Sequence, residues 1–212
     1  MTIDCPTTLP PRWAESLLRM FLASGDRESV SGDLLEEYRE SILPALGAGA
    51  NRWYARQVGC YVLRATWPWA ALAGGMLVGR YLLDTQAPVH YTRGVAHPRA
   101  TIMSQALIAT YAVSGCWHAW RTEQLRSGIV GAFVTAALGG ALSSLGTILC
   151  LAVWHDPQTW RAIQGSGGID EALWGVPLML VPVGTFVGTA GATVGRVAAV
   201  IYGASRPNTN SA

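Results

Sequence analysis

From Gly128 to Val153 the chain runs 26 residues without a charged side chain. A helix rises about 1.5 Å per residue, so about 20 such residues cross the roughly 30 Å hydrocarbon layer of a bilayer. A buried helix of a water-soluble domain is seldom this long and this apolar. The stretch therefore predicts a transmembrane helix, and it constrains the rest of the chain. Only 13% of the 212 residues are charged, against about 25% in ordinary soluble domains, and the deficit lies after Thr66.

Three weaker apolar segments join the central one. The predicted spans are 66–83, 100–120, 128–154 and 174–202. The expected fold is all-α: a four-helix transmembrane bundle over 66–204, a small N-terminal helical head over 1–65 facing the cytoplasm, and a short disordered tail, 205–212. In the first span Ala71, Gly75 and Gly79 recur every fourth residue. In the third, Ala132, Ala136, Gly140 and Ser144 do so over a longer run. In the fourth, Gly184 and Gly188 form one such step and Gly191 and Gly195 another. Small residues at this spacing let two helices approach closely in lipid. Pro177 and Pro182 are expected to kink the first half of the fourth span. The second span contains Ser104, Gln105, Thr110, Tyr111 and Ser114, which are expected to turn inward and bond across helices. Gly128-x-x-Gly131 lacks the preceding strand and the Lys-Ser/Thr tail of a phosphate loop, so it reads as helix packing.

The head is different in character. Met1–Ala65 holds eight of the thirteen acids and seven of the fifteen arginines. Pro10-Pro11 opens a predicted helix at Arg12–Leu22, with Trp13, Leu17 and Phe21 on one side. Ser24-Gly25-Asp26 reads as a turn and helix cap. Ser29–Leu43 reads as a second helix ended by Pro44, with Val30, Leu34, Tyr38 and Ile42 as its apolar stripe. Asp33, Glu36, Glu37 and Glu40 form an acidic stripe beside it. That stripe is either a solvated face or a docking face, for a basic partner or for Arg52 and Arg56 of a third helix, Asn51–Ala65. Trp53, Tyr54, Val58 and Tyr61 of that helix are available to pack or to lie among headgroups.

Pro11-Arg12-Trp13-Ala14-Glu15-Ser16-Leu17-Leu18, Asp26-Arg27-Glu28, Gly32-Asp33-Leu34-Leu35-Glu36-Glu37-Tyr38 and Arg52-Trp53-Tyr54-Ala55-Arg56-Gln57 together resemble the permease prefix domain. This is a short helical module found ahead of ABC-type permeases and on small stand-alone membrane proteins. The likeness covers Pro10 to Tyr61 and departs at Ala55, where a second aromatic often stands. It implies a membrane-associated accessory module. It carries over neither transport activity nor catalytic residues.

Four crossings put both termini on one side. With that side cytoplasmic, ten arginines lie inside and three outside (Arg93, Arg99 and Arg161), with Arg80 and Arg196 left in the membrane. The positive-inside rule favours this orientation. The basic residues are all arginine, a habit of GC-rich bacterial coding, so the expected location is a bacterial cytoplasmic membrane. Met1–Leu22 lacks the pattern of a cleavable signal peptide. A net charge of +2 gives no nucleic-acid footprint.

No site chemistry stands out. His90, His97, His155, Asp156, Asp170 and Glu171 fall on the expected outer face, but without metal-ligand spacing. The four cysteines form no pair motif. Ser143 and Ser144 lie mid-membrane, where serine bonds backbone carbonyls more often than it attacks a substrate. A single histidine at a helix end, His118, is weak grounds for a haem. The expected protein is thus a non-enzymatic accessory or structural subunit without cofactor or metal. Its expected partners are the lipid bilayer and another membrane protein or a second copy. The alternative is a small transporter or channel component with Arg80, Gln105, Tyr111 and Arg196 along a path.

Overall fold

The computed structural model describes residues 9–86, 98–153 and 169–204. These residues are helical and contain no strand. The chain divides into two compact units, Met1–Ala65 and Thr66–Ala212. The predicted tail, 205–212, and the loop residues His90, His97, His155 and Asp156 lie outside the described residues.

In the first unit, α1 (Arg12–Phe21) follows the Pro11 carbonyl, which accepts the backbone N–H groups of Ala14 and Glu15. Its buried side is Ala14, Leu18 and Phe21, while Trp13 is 62% exposed. The expected Trp13–Leu17–Phe21 face is therefore right at Phe21 and off by one position at Trp13 and Leu17. Steps of four and three residues hold a stripe on the inner side of a 3.6-residue helix better than two steps of four. α2 (Arg27–Glu37) has Asp26 at its N-cap position, but the Asp26 side chain caps nothing. Asp26 is in αR conformation, whereas a capping side chain needs an extended backbone to reach the free N–H groups. The Arg27 guanidinium instead donates to the Arg19 carbonyl at the end of α1.

The second helix expected from sequence runs without a gap past its expected end but changes its winding on the way. A π-helical turn, Tyr38–Ile42, follows α2, and then the one-turn α3 (Leu43–Leu46) and a 3-10 turn, Gly47–Gly49. Pro44 sits in the first turn of α3, where its missing N–H costs nothing, so it does not stop the helix. The Tyr38 ring is fully buried against Tyr54, edge to face at 5.5 Å, and its hydroxyl donates to Asn51 Oδ1 at 2.7 Å. Burial pushes the Tyr54 phenol above its ordinary pKa, with Glu15 adding to the rise and Arg19 opposing it. Tyr54 therefore packs as a neutral group.

α4 (Ala50–Gln86) is one helix of 37 residues with Pro68 inside it. The separate helices expected at Asn51–Ala65 and 66–83 are thus continuous. Pro68 is an interior proline, not a first-turn one, and it leaves the carbonyl four residues back without its helical donor. Within the first unit α4 buries Tyr54, Val58 and Val62.

The second unit packs the remainder of α4 with α5 (Pro98–Thr122), α6 (Leu125–Val153) and α7 (Val176–Ala204), the last preceded by a π-helical turn, Glu171–Gly175. Glu123, at φ 57°, makes the tight α5–α6 connection. Pro182 is inside α7. Pro177 stands in its first turn, where proline is accommodated. Ala73, Leu77, Leu107, Tyr111 and Ala136 form the core shared by α4, α5 and α6.

Two helical stretches among the described residues are long and apolar enough to cross a membrane, Leu125–Val153 and Leu173–Tyr202. α4 and α5 have the length without the same apolarity, since Arg64 and Arg80 interrupt the one and Ser104, Gln105, Thr110, Ser114 and His118 dilute the other.

Candidate functional site

The bundle buries hydroxyls beside small apolar residues and leaves many of its large apolar side chains outside. Thr110, Ser114, His118, Thr122, Ser127, Thr135, Ser143 and Thr147 are buried, while Phe133, Leu149, Phe186, Val194 and Ile201 are largely exposed. Only 29% of the most apolar window of Leu125–Val153, and 17% of that of Leu173–Tyr202, is buried within the chain. The core helix of a soluble protein shows the reverse. Hydroxyls close locally onto carbonyls one turn back, as Thr110 does to Ala106, Thr147 to Ser143, Thr185 to Val181 and Thr189 to Thr185. This is how serine and threonine are satisfied in an apolar helix.

A polar contact between α5 and α6 lies deep inside: Ser114 Oγ and Thr135 Oγ1 are 2.9 Å apart and fully buried. Ser114→Ala or Thr135→Val alone is expected to cost about 1 kcal/mol, because each strands a buried hydroxyl. The double variant should cost little more than either single one. Equilibrium unfolding of the four proteins in mixed micelles measures this coupling, and strictly additive losses would refute it.

The predicted small-residue ridge of α6 meets α7 along its length. A Cβ added at Gly184 would lie 2.9 Å from that of Ala136, and one at Gly140 would lie 3.3 Å from that of Pro177. Gly188 faces Ala132, and the Ser144 hydroxyl donates to the Leu173 carbonyl at 2.7 Å. Gly191 and Gly195 face α5, where the carbonyls of Ala112 and Cys116 fill the space a side chain would need. Gly75 and Gly79 meet no helix among the described residues. No described atom lies within 4 Å of a Cβ built at either, and the α4 face that packs within the chain is Ala70, Ala73, Gly74 and Leu77. Ala70–Ala73–Gly74 is as small as Ala71–Gly75–Gly79, and the positions of Gly139 and Leu142 on α6 select between them.

The other predicted groups do not converge. Arg80 is exposed and donates to Ser104 Oγ at 3.1 Å. Gln105 faces outward against expectation, Arg196 is half-buried and Tyr111 is fully buried. The four do not line one path. His118, near the end of α5, is 3% exposed, and its ring fills the space left by Gly131. The two lie 13 residues apart on antiparallel helices, so no local pattern reveals the pairing. Trp117 and Trp120 stack edge to face at 5.8 Å on the outside, in keeping with an aromatic girdle. Asp170 is exposed. No three His, Cys, Asp or Glu side chains converge among the described residues. A notch of about 240 Å³ opens between α6 and the start of α7, walled by Ala137, Ala141, Trp174 and Leu178.

In the first unit Asp33, Glu36, Glu37 and Glu40 are all exposed. They make no ion pair with Arg52 or Arg56, which are exposed on α4. The acidic stripe and the basic helix face are therefore two separate surfaces. No family model matches the chain, and no curated protein or solved structure matches it.

Proposed function

We propose that the chain is a multi-pass integral membrane protein that serves as a non-enzymatic accessory or structural subunit of a larger membrane complex. All four long helices cross the bilayer, α4 and α5 shielded in part by α6 and α7. The termini lie in the cytoplasm of a bacterial cell, where the acidic stripe of the head docks a basic partner. The observation that carries the reading is the inverted polarity of the bundle, with hydroxyls inside and its largest apolar side chains outside. Such a surface is matched to acyl chains and not to water. The permease-prefix likeness of Pro10–Tyr61 supports the accessory role, and the arginine excess on one side supports the orientation.

Purification in mild detergent from the native membrane tests the role. A stoichiometric second membrane protein is expected, and its recovery should fall when Asp33, Glu36, Glu37 and Glu40 are replaced by their amides. A lone monomer under all conditions would remove the accessory reading and leave the membrane reading standing.

A further inference from the structure

The head separates its charges by element. Arg27–Leu46, covering α2, the π turn and α3, carries five acids, whereas Ala50–Ala65, the head's share of α4, carries Arg52, Arg56 and Arg64 and no acid. All three arginines are exposed, and none makes an ion pair or hydrogen bond among the described residues. At 100° per residue, Arg52, Arg56, Leu63 and Arg64 fall within about a third of the helix circumference. The inner side of the same segment is occupied by Tyr54, Val58 and Val62. Cys60 and the 44%-exposed Leu63 lie on the outer face among the arginines. Three residues after Arg64 comes Trp67, itself exposed, a residue type that settles at the bilayer–water boundary.

From this face we infer a binding surface for anionic phospholipid headgroups, made by Arg52, Arg56 and Arg64 with Leu63 beside Arg64 at its membrane end. Guanidinium groups pair bidentately with phosphate oxygens. A basic segment next to a membrane helix is attracted to an anionic leaflet. The exposed leucine suits the acyl boundary beneath the headgroups. The acids of α2 and the π turn, being repelled by the same leaflet, remain available to a partner. The inference rests on the membrane reading above.

The test keeps Cys60 as the only thiol (Cys5→Ser, Cys116→Ala, Cys150→Ala) and labels it with a fluorescent donor. The protein is reconstituted in phosphatidylcholine vesicles containing 30% phosphatidylglycerol, with an acceptor on the headgroup of one lipid or the other. Greater transfer to labelled phosphatidylglycerol is expected. The preference should drop about five-fold for Arg64→Gln, and by progressively less for Arg56→Gln and Arg52→Gln, which stand about 12 Å and about 18 Å farther along the helix, and high salt should weaken it. Glu36→Gln with Glu37→Gln should leave it nearly unchanged. Equal transfer to both lipids in protein that has inserted overturns this inference alone. So does a shift from the glutamate pair as large as that from the arginines, which would make net charge the cause. Loss of salt-sensitive self-association in the arginine variants, with lipid preference intact, would assign the face to a second copy and also overturn it. Protein that never enters the vesicles overturns the membrane reading together with this one.

Discussion

Phe186→Arg is expected to cost α7 about 3 kcal/mol of membrane insertion, a shift of more than a hundred-fold in its insertion equilibrium. Phe186 is 79% exposed near the middle third of α7. If lipid surrounds that face, the arginine must sit in hydrocarbon or drag water in after it. If water surrounds it, the same substitution on an exposed helix surface changes stability by less than about 0.5 kcal/mol and improves solubility. Tyr202→Arg, at the end of the helix and 61% exposed, supplies the control, since an arginine there reaches the headgroups. Glycosylation-tag mapping of α7 in all three proteins reads the insertion directly. Equal insertion of Phe186→Arg and the parent would contradict a lipid-facing α7.

The second large effect concerns two pairs of glycines that look alike in sequence. Gly191→Leu with Gly195→Leu should abolish the folded bundle. The atoms in the way are the Ala112 and Cys116 carbonyls and their main chain, which cannot rotate aside as a side chain can. Overpacking costs ~1–3 kcal/mol per site where side chains yield, and more is expected here. Gly75→Leu with Gly79→Leu meets open space and gains helix propensity, so it should be neutral or slightly stabilising. Thermal melts of detergent-solubilised protein, followed by size exclusion, separate the two outcomes. Loss of the fold in the Gly75/Gly79 pair would show that the outward stripe of α4 meets a neighbour.

These pairs mark how far the sequence is legible. A four-residue spacing of small residues identifies a helix that a neighbour can approach, and along α6 and α7 that was enough, because Ala132, Ala136, Gly184 and Gly188 face one another. α4 offers two small faces, and its spacing cannot say which is used. That depends on Gly139 and Leu142, more than sixty residues away. The same limit applies to Trp13 against Ala14. Both fit helical periodicity, and the choice is made by the other elements of the head, which bury Ala14 and leave Trp13 outside. Helix content and the two most apolar spans, Leu125–Val153 and Leu173–Tyr202, followed from apolar runs. The π turn at Tyr38–Ile42 did not, because it arises from seating the Tyr38 ring on Tyr54 and its hydroxyl on Asn51. The burial of His118 was hidden for a related reason, since it is created by a glycine on another helix.

The way α5, α6 and α7 touch has a mechanical consequence. Where one main chain lies directly on another, neither can slip by a turn without first separating. α4 shares one such point, where Gly74 meets the Gly139 carbonyl, and is otherwise held through the Ala73, Leu77 and Met76 side chains and the reach of Arg80 to Ser104. If this molecule moves while it works, three of its rods should travel as a solid block and the fourth should pivot about that single point.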